Sequence, residues 1–290
     1  MAAPHRPTAR RIALGHELRE LRKQARLSLQ EAVQGLTFSD TKLQRVETGL
    51  QDLRSASDLR TLLTRYGVTD EEEVDRLVAS QREAASREWW MHDATELTSG
   101  MPRFLGIEAA AQEIRAYNPT LVFGLLQTDA YARTRHENAK FIDETTSEFV
   151  DHSVRVRMRR KEALTRDEDP LRLWAVLYEP ALRYIVGDAD LMREQYDEIA
   201  KLAALDNVTV QVLPQAMRGY LFAHNFTILI LGDTMPTTIQ VDTPFGTSSI
   251  SDKRREVGRF SRQFEALSRS ALPPEDTPKF LHQLSREIAE

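Results

Sequence analysis

Between Arg11 and Gly67 apolar residues recur with a helical period and polar residues gather opposite them. Leu14, Leu18 and Leu21 stand at i, i+4 and i+7, which predicts a helix from Arg11 to Ala25 with Arg19, Arg22 and Lys23 outside. Ser28 and Glu31 have the spacing of a capping box, and Ala32, Val33 and Leu36 then share one face. Ser39 is a second N-cap. Phe38 before it and Leu43 after it are placed as a hydrophobic staple, Leu43 and Val46 face inward, and Gly49 supplies a C-terminal stop. The pattern predicts two short helices joined by a tight turn, then a helix over Ser57–Tyr66 with Leu59, Leu62 and Leu63 inward. A further helix starts at Thr69-Asp70 and runs toward Arg87.

Beyond residue 88 the periods are mixed. Helices are expected over Phe104–Tyr117, Thr128–Glu137, Thr145–Thr165, Asp190–Leu205, Ser251–Ser270 (behind an N-cap serine) and Thr277–Ala289. The apolar Thr120–Gln127 run, with Gly124 inside it, is expected to be buried and kinked. Strands are expected over Leu171–Tyr178, Val208–Leu213, Phe226–Leu231 and Thr237–Val241. The fold class is therefore an N-terminal all-α helix-turn-helix domain followed by an α+β domain of helices around a small sheet. The boundaries are a flexible basic arm at 1–10, a helix-turn-helix domain at 11–82 and the α+β domain at 88–290. Trp89-Trp90 is expected to seal one domain against the next.

Charge sharpens this division. The chain carries a formal net charge of −5, yet residues 1–67 hold 12 Lys/Arg against 7 Asp/Glu. A basic head on an acidic body is what arises when only the head meets phosphate. There are no cysteines, which removes disulfides, thiolate catalysis and Cys-based zinc sites. No apolar run approaches the ~20 residues of a membrane span, and the N-terminus has no apolar signal core, so a cytoplasmic protein is expected.

The second short helix carries the chemistry. Its polar side, Asp40, Thr41, Lys42, Gln44 and Arg45, is what major-groove reading of double-stranded DNA requires. Arg45 can fork onto a guanine and Gln44 onto an adenine, while Ser39, Lys42 and Thr48 suit phosphate. Asp40 is better read as a first-turn carboxylate favoured by the helix dipole than as a cytosine acceptor. In the body, no P-loop, G-x-G-x-x-G, H-E-x-x-H or G-x-S-x-G occurs, and the histidines lack ligand spacing. No catalytic residue, metal or cofactor is expected. Glu179 is the best lone carboxylate, and it reads more readily as a local cap. The basic run R-V-R-M-R-R-K at 155–161 reads as a charged face paired with the acidic body or a partner chain.

The segments L-G-H-E-L-R-E-L-R-K at 14–23, L-S-L-Q-E-A at 27–32, S-D-T-K-L-Q-R-V-E-T-G at 39–49 and L-L-T-R-Y-G-V at 62–68 resemble an Xre-type (lambda-repressor-like) DNA-binding domain. The resemblance implies base reading by Asp40, Thr41 and Arg45. Leu29 stands where that family usually has Gln, and Thr37 where its turn usually has Gly, which implies a different turn geometry. The body, through G-L-L-Q-T-D-A-Y-A-R at 124–133, R-M-R-R-K at 157–161, Y-E-P-A-L-R at 178–183 and V-Q-V-L-P at 210–214, is similar to the C-terminal domain of actinobacterial WhiJ-like and antitoxin-like regulators. That similarity implies transcriptional control and a small protein partner encoded nearby. Gly124, Gln127, Tyr131 and Arg133 would then line a partner or ligand site, or else belong to the core. Two readings follow. One is a sequence-specific, dimeric transcriptional regulator whose C-terminal regulatory domain senses a protein partner or a ligand. The other is an antitoxin-like protein that holds a small partner and autoregulates its own locus.

Overall fold

The computed structural model describes residues 9–49, 51, 53, 55–84, 101–232, 235–243 and 248–288. The arm residues 1–8 and the Trp89-Trp90 pair lie outside the described residues. The chain divides into two compact units, residues 1–110 with 231–236, and residues 111–230 with 237–290.

The first unit is helical: α1 (Ala9–Gln24), α2 (Leu29–Val33), α3 (Asp40–Glu47), α4 (Ala56–Arg65), α5 (Glu71–Ala84) and α6 (Met101–Ala109). Leu14, Leu18, Phe38, Leu43, Val46, Leu59, Leu62, Leu63 and Leu77 form one buried core, so the periodicity that made each helix amphipathic also decides what it faces. Three serine caps start the helices that the sequence marked. Ser28 accepts from the Glu31 amide at 3.2 Å while Glu31 accepts from the Ser28 amide at 2.8 Å, completing the capping box. Ser39 opens α3 and Ser55 opens α4 in the same way. α6 packs with α1, although the sequence assigned it to the C-terminal body.

The second unit holds a 6-stranded mixed sheet in the order β3-β2-β1-β4-β5-β6. The strands are β1 (Glu113–Asn118), β2 (Arg172–Tyr178), β3 (Val208–Leu213), β4 (Phe226–Ile230), β5 (Thr238–Asp242) and β6 (Ser248–Ser251). β1 pairs in parallel with β2, and β2 with β3; the β1–β4, β4–β5 and β5–β6 pairs are antiparallel. The helices of this unit are α7 (Asp129–Ala139), α8 (Ser147–Lys161), α9 (Glu179–Arg183), α10 (Ala189–Ala203), α11 (Arg254–Ser270) and α12 (Thr277–Glu287). α11 lies on one sheet face, its Phe264 and Leu267 buried with Tyr117, Val176, Leu213, Phe226, Ile228 and Ile239. Trp174 meets Phe264 edge-on at 5.3 Å and donates to Gln211, whose own amide holds the Ser268 and Leu272 carbonyls.

Two elements differ from the sequence reading. The helix expected over Phe104–Tyr117 stops at Ala109, and Glu113–Asn118 is the strand β1. Its Ile114 and Tyr117 sit at helix-compatible spacing, but Ile114 and Ala116 bury on one sheet face and Tyr117 on the other. The helix expected from Ser251 starts at Arg254. Ser251 is the end of the edge strand β6, whose Ser-rich sequence gives no strand signal.

Candidate nucleic-acid interface and the buried turn of the second unit

The α2–turn–α3 stretch is held by contacts that leave one face of α3 uncommitted. The turn covers residues 34–39, and its left-handed residue is Gly35, at φ 76°. The glycine that the turn needs is therefore two residues before Thr37, whose hydroxyl instead donates to Asp58 Oδ2 of α4 at 3.2 Å. Arg65 Nη1 donates to the Ala32 carbonyl at 2.6 Å, closing the C-terminal end of α2. Gly15 lets α1 approach α3: a Cβ there would run into the Val46 carbonyl. Gly49, at φ 73°, ends α3 against Ile12, whose Cγ1 lies 2.6 Å from where a Cβ would sit.

α3 is also clamped by charge. Arg22 of α1 forks onto Glu47, Nε to Oε1 at 2.6 Å and Nη2 to Oε2 at 2.8 Å, and its Nη1 donates to the Leu27 carbonyl at 2.7 Å. The Glu47 carboxylate raises the Arg22 pKa further above the usual guanidinium value. Glu47 is buried and Arg22 half-buried over it, and their two-point fork fixes the rotation of α3 about its axis.

Each residue named from the sequence has a definite place. Thr41, Gln44 and Arg45 are exposed, and the Gln44 and Arg45 side chains make no hydrogen bond or ion pair among the described residues. Ser39 is the N-cap, its oxygen accepting from the Lys42 amide at 3.3 Å. Asp40 Oδ1 accepts from the Thr41 amide at 2.7 Å, the arrangement of a first-turn carboxylate. Lys42 Nζ lies 5.2 Å from the Phe38 ring centroid, resting on the staple residue. Thr48 turns its hydroxyl back onto the Gln44 carbonyl at 2.9 Å, so a phosphate would compete for that proton. The free donors of α3 are thus Gln44 and Arg45, with Lys42 beside them.

In the second unit, Gly124, Gln127 and Tyr131 come together and Arg133 does not. Gly124–Leu126 is one 3-10 turn. Gln127 is buried, donates to the Val122 carbonyl at 2.7 Å and accepts from Arg157 Nη1. Tyr131 is buried beneath the turn, and its hydroxyl accepts from the Val122 amide at 3.4 Å. Arg133 is on another side of α7, paired with Asp151 and Asp129. Two residues that the sequence reading passed over complete the turn. Gln195 bridges the Leu126 carbonyl and the Thr128 amide, at 2.8 and 2.9 Å. Arg157 brings a buried Nε without a hydrogen-bond partner to within 3.9 Å of where a Gly124 Cβ would be. Burial, then the Arg160 and Arg135 guanidiniums, lower its pKa to about 9. Burial and the Arg157 and Arg135 charges likewise depress His136 to about 3. Arg157 could have been found from the sequence, since Val150, Val154 and Arg157 stand at i, i+4 and i+7 on α8.

The 155–161 basic run divides accordingly. Arg157 faces the turn, Lys161 pairs with Glu198 and donates to the Gln127 carbonyl, and Arg155 and Arg159 are exposed. Glu179 accepts from Arg183 Nε and, through Oε2, from the Gln215 amide at 2.8 Å, so it ties α9 to the segment after β3. Among the described residues no cluster of His, Cys, Asp or Glu could hold a metal ion, and no helix is long and apolar enough to cross a membrane.

Comparison with known proteins gives two matches, one in the N-terminal helices and one that runs from α6 through the sheet. A helix-turn-helix domain model matches residues 13–77, which contain the capped α2–turn–α3 stretch. No curated protein and no solved structure matches the chain. The second match runs over residues 101–283, more than half the chain, so the protein belongs to the family of the domain of unknown function DUF5753, joined here to an N-terminal helix-turn-helix domain.

Proposed function

We propose that the chain is a sequence-specific DNA-binding transcriptional regulator of the cytoplasm that acts without catalysis. The observation that carries this reading is the outer face of α3, where Gln44 and Arg45 are exposed and, among the described residues, unpaired on a helix held in rotation by Arg22 and Glu47. Unpaired bidentate donors on a fixed short helix are the requirement for reading base edges. The Xre-like segments add to the reading. One helix of this length reads few base pairs, so the regulator works as a dimer on half-sites about 34–36 Å apart. The test is binding to duplex DNA from upstream of its own gene, titrated with salt. Tight binding in the presence of competitor, with a steep loss as salt rises, supports the reading. A clean monomer by light scattering, in a protein that still binds DNA tightly, removes the two-half-site model.

A second reading rests on a different observation. Phe141 and Ile142, after α7, are 94% and 80% exposed. Two adjacent large apolar side chains in water mark a surface for a protein partner. In the antitoxin-like version, the body holds a small partner protein encoded nearby, and DNA binding serves autoregulation. Co-purification of such a protein, lost in Phe141→Ser/Ile142→Ser, favours this version. The Gly124–Gln127–Tyr131 turn is the alternative input site, for a small ligand.

A further inference from the structure

The strongest unexplained charge in the second unit is on α11. Its inner face is fixed by Phe264 and Leu267 against the sheet, which sets what faces out. Arg255, Arg259 and Arg262 follow at i, i+4 and i+7 on the opposite side, all exposed, with exposed Arg254 flanking them. None of these four makes an ion pair among the described residues. The acid of this stretch, Glu256, is turned to Lys253 at 3.5 Å. Gly258 lies within the arginine face, and Arg262 folds back over it, its Nη1 3.5 Å from where a Cβ would stand. The Arg262 guanidinium is thereby drawn back toward the N-terminal half of the helix.

We propose that this face of α11 is a second phosphate-binding surface for double-stranded DNA, separate from the helix-turn-helix. Three like charges on one helix face, with a fourth beside them, repel one another, and an anion that spans them removes that repulsion. At a rise of about 1.5 Å per residue, Arg255 stands about 6 Å from Arg259 and about 10 Å from Arg262 along the helix, on the scale of the spacing between neighbouring phosphates of a duplex. The chemistry favours DNA over an acidic protein. From Arg254 to Arg262 the outward residues are Arg, Gly and Arg again, with no apolar anchor of the kind that centres a protein interface. The Tyr220 hydroxyl, which accepts from Gln263 at 2.8 Å beside this face, keeps its proton for a phosphate oxygen. Arginine contacts to phosphate position a protein without reading sequence, so this surface adds affinity and register, while α3 supplies specificity.

The proposal rests on the DNA-binding reading above, and the experiment separates the two. The full-length protein, its Arg255→Ala/Arg259→Ala/Arg262→Ala variant and its Arg45→Ala variant are titrated against one labelled duplex from upstream of the gene and one of scrambled sequence, across a salt series. The α11 variant is expected to lose about tenfold or more on both duplexes, with a log–log salt slope shallower by roughly 2–3 and an unchanged preference between them. Arg45→Ala is expected to lose preference and keep most of the slope. A triple Arg→Lys variant keeps charge and restores binding. If the α11 alanine variant binds both duplexes with parental affinity and slope while Arg45→Ala loses preference, the second surface is wrong and the regulator reading stands; α11 would then be free for an acidic protein. If the parent binds neither duplex, the regulator reading falls and this proposal with it.

Discussion

At the scale of single residues, the informative side chains are the unpaired ones and the over-buried ones. Arg45 is exposed and uncommitted, so its removal should leave the fold intact and act on recognition alone. Arg45→Ala should weaken operator binding by about 1–3 kcal/mol and relax preference at one base pair, read by competition between operator variants. His136 is the opposite case. Its ring is half-buried against Phe149, and that burial, with the Arg157 and Arg135 charges, lowers its pKa from the usual 6.5 to about 3. The unfolded chain therefore binds this proton first as pH falls. The stability due to His136 is full above about 6.5 and drains away between there and about 3. With discount for partial exposure this is about 1 kcal/mol lost by pH 5. Chemical denaturation at pH 7 and pH 5 should show His136→Gln losing less over that interval than the parent; equal losses would remove His136 from the account.

At the scale of elements, the position of α3 depends on how closely α1 can approach it. A methyl group on Gly15 meets the Val46 carbonyl, a backbone atom that moves only if the helices part. Gly15→Ala should destabilise the helical unit by about 1–3 kcal/mol, as overpacking does, and should shift the α3 amide signals in an NMR spectrum. A variant with parental stability and unshifted α3 amides would show that the approach is not tight. The capped helices were legible from sequence because capping box, N-cap and staple are local: every partner lies within five residues. β1 was not. Its E-I-R-A-Y-N sequence is short and carries both periods, and the decision to be a strand comes from β2 and β4 pairing on either side. The different turn geometry that Thr37 implied was legible, but its seat was not: the backbone turns left-handed at Gly35, two residues earlier than the family template points.

At the scale of the whole molecule, each unit buries its own apolar core, one built from α1–α5 and one between the sheet and α11. Calorimetry should therefore resolve two transitions. Glu47→Ala removes the buried partner of a part-buried ion pair and should cost about 2–3 kcal/mol, lowering the transition of the helical unit by roughly 10 °C while leaving the other in place. A single transition that moves as one would show the two cores to be coupled. The charge asymmetry belongs to this scale too: the basic head was visible in the residue count, but an arginine face on an acidic body was not, because a count averages over faces.

What the sequence determined by itself is what depends on neighbours in the chain. It set the capped starts of α2 and α3, the amphipathic faces of the N-terminal helices, the two-part organisation and the polar row of α3 that belongs to a helix-turn-helix. Only the tertiary structure decided the order of the mixed sheet, the strand identity of Glu113–Asn118 and Ser248–Ser251, the Arg22–Glu47 clamp, the burial of Arg157 against the Gly124 turn, and the outward set of arginines on α11. The reason is one of range. Caps, periods and turns are fixed by contacts a few residues apart, whereas sheet pairing, buried ion pairs and the exposed side of a packed helix are fixed by partners tens of residues away. The local pattern leaves those choices nearly equal in energy until the core closes.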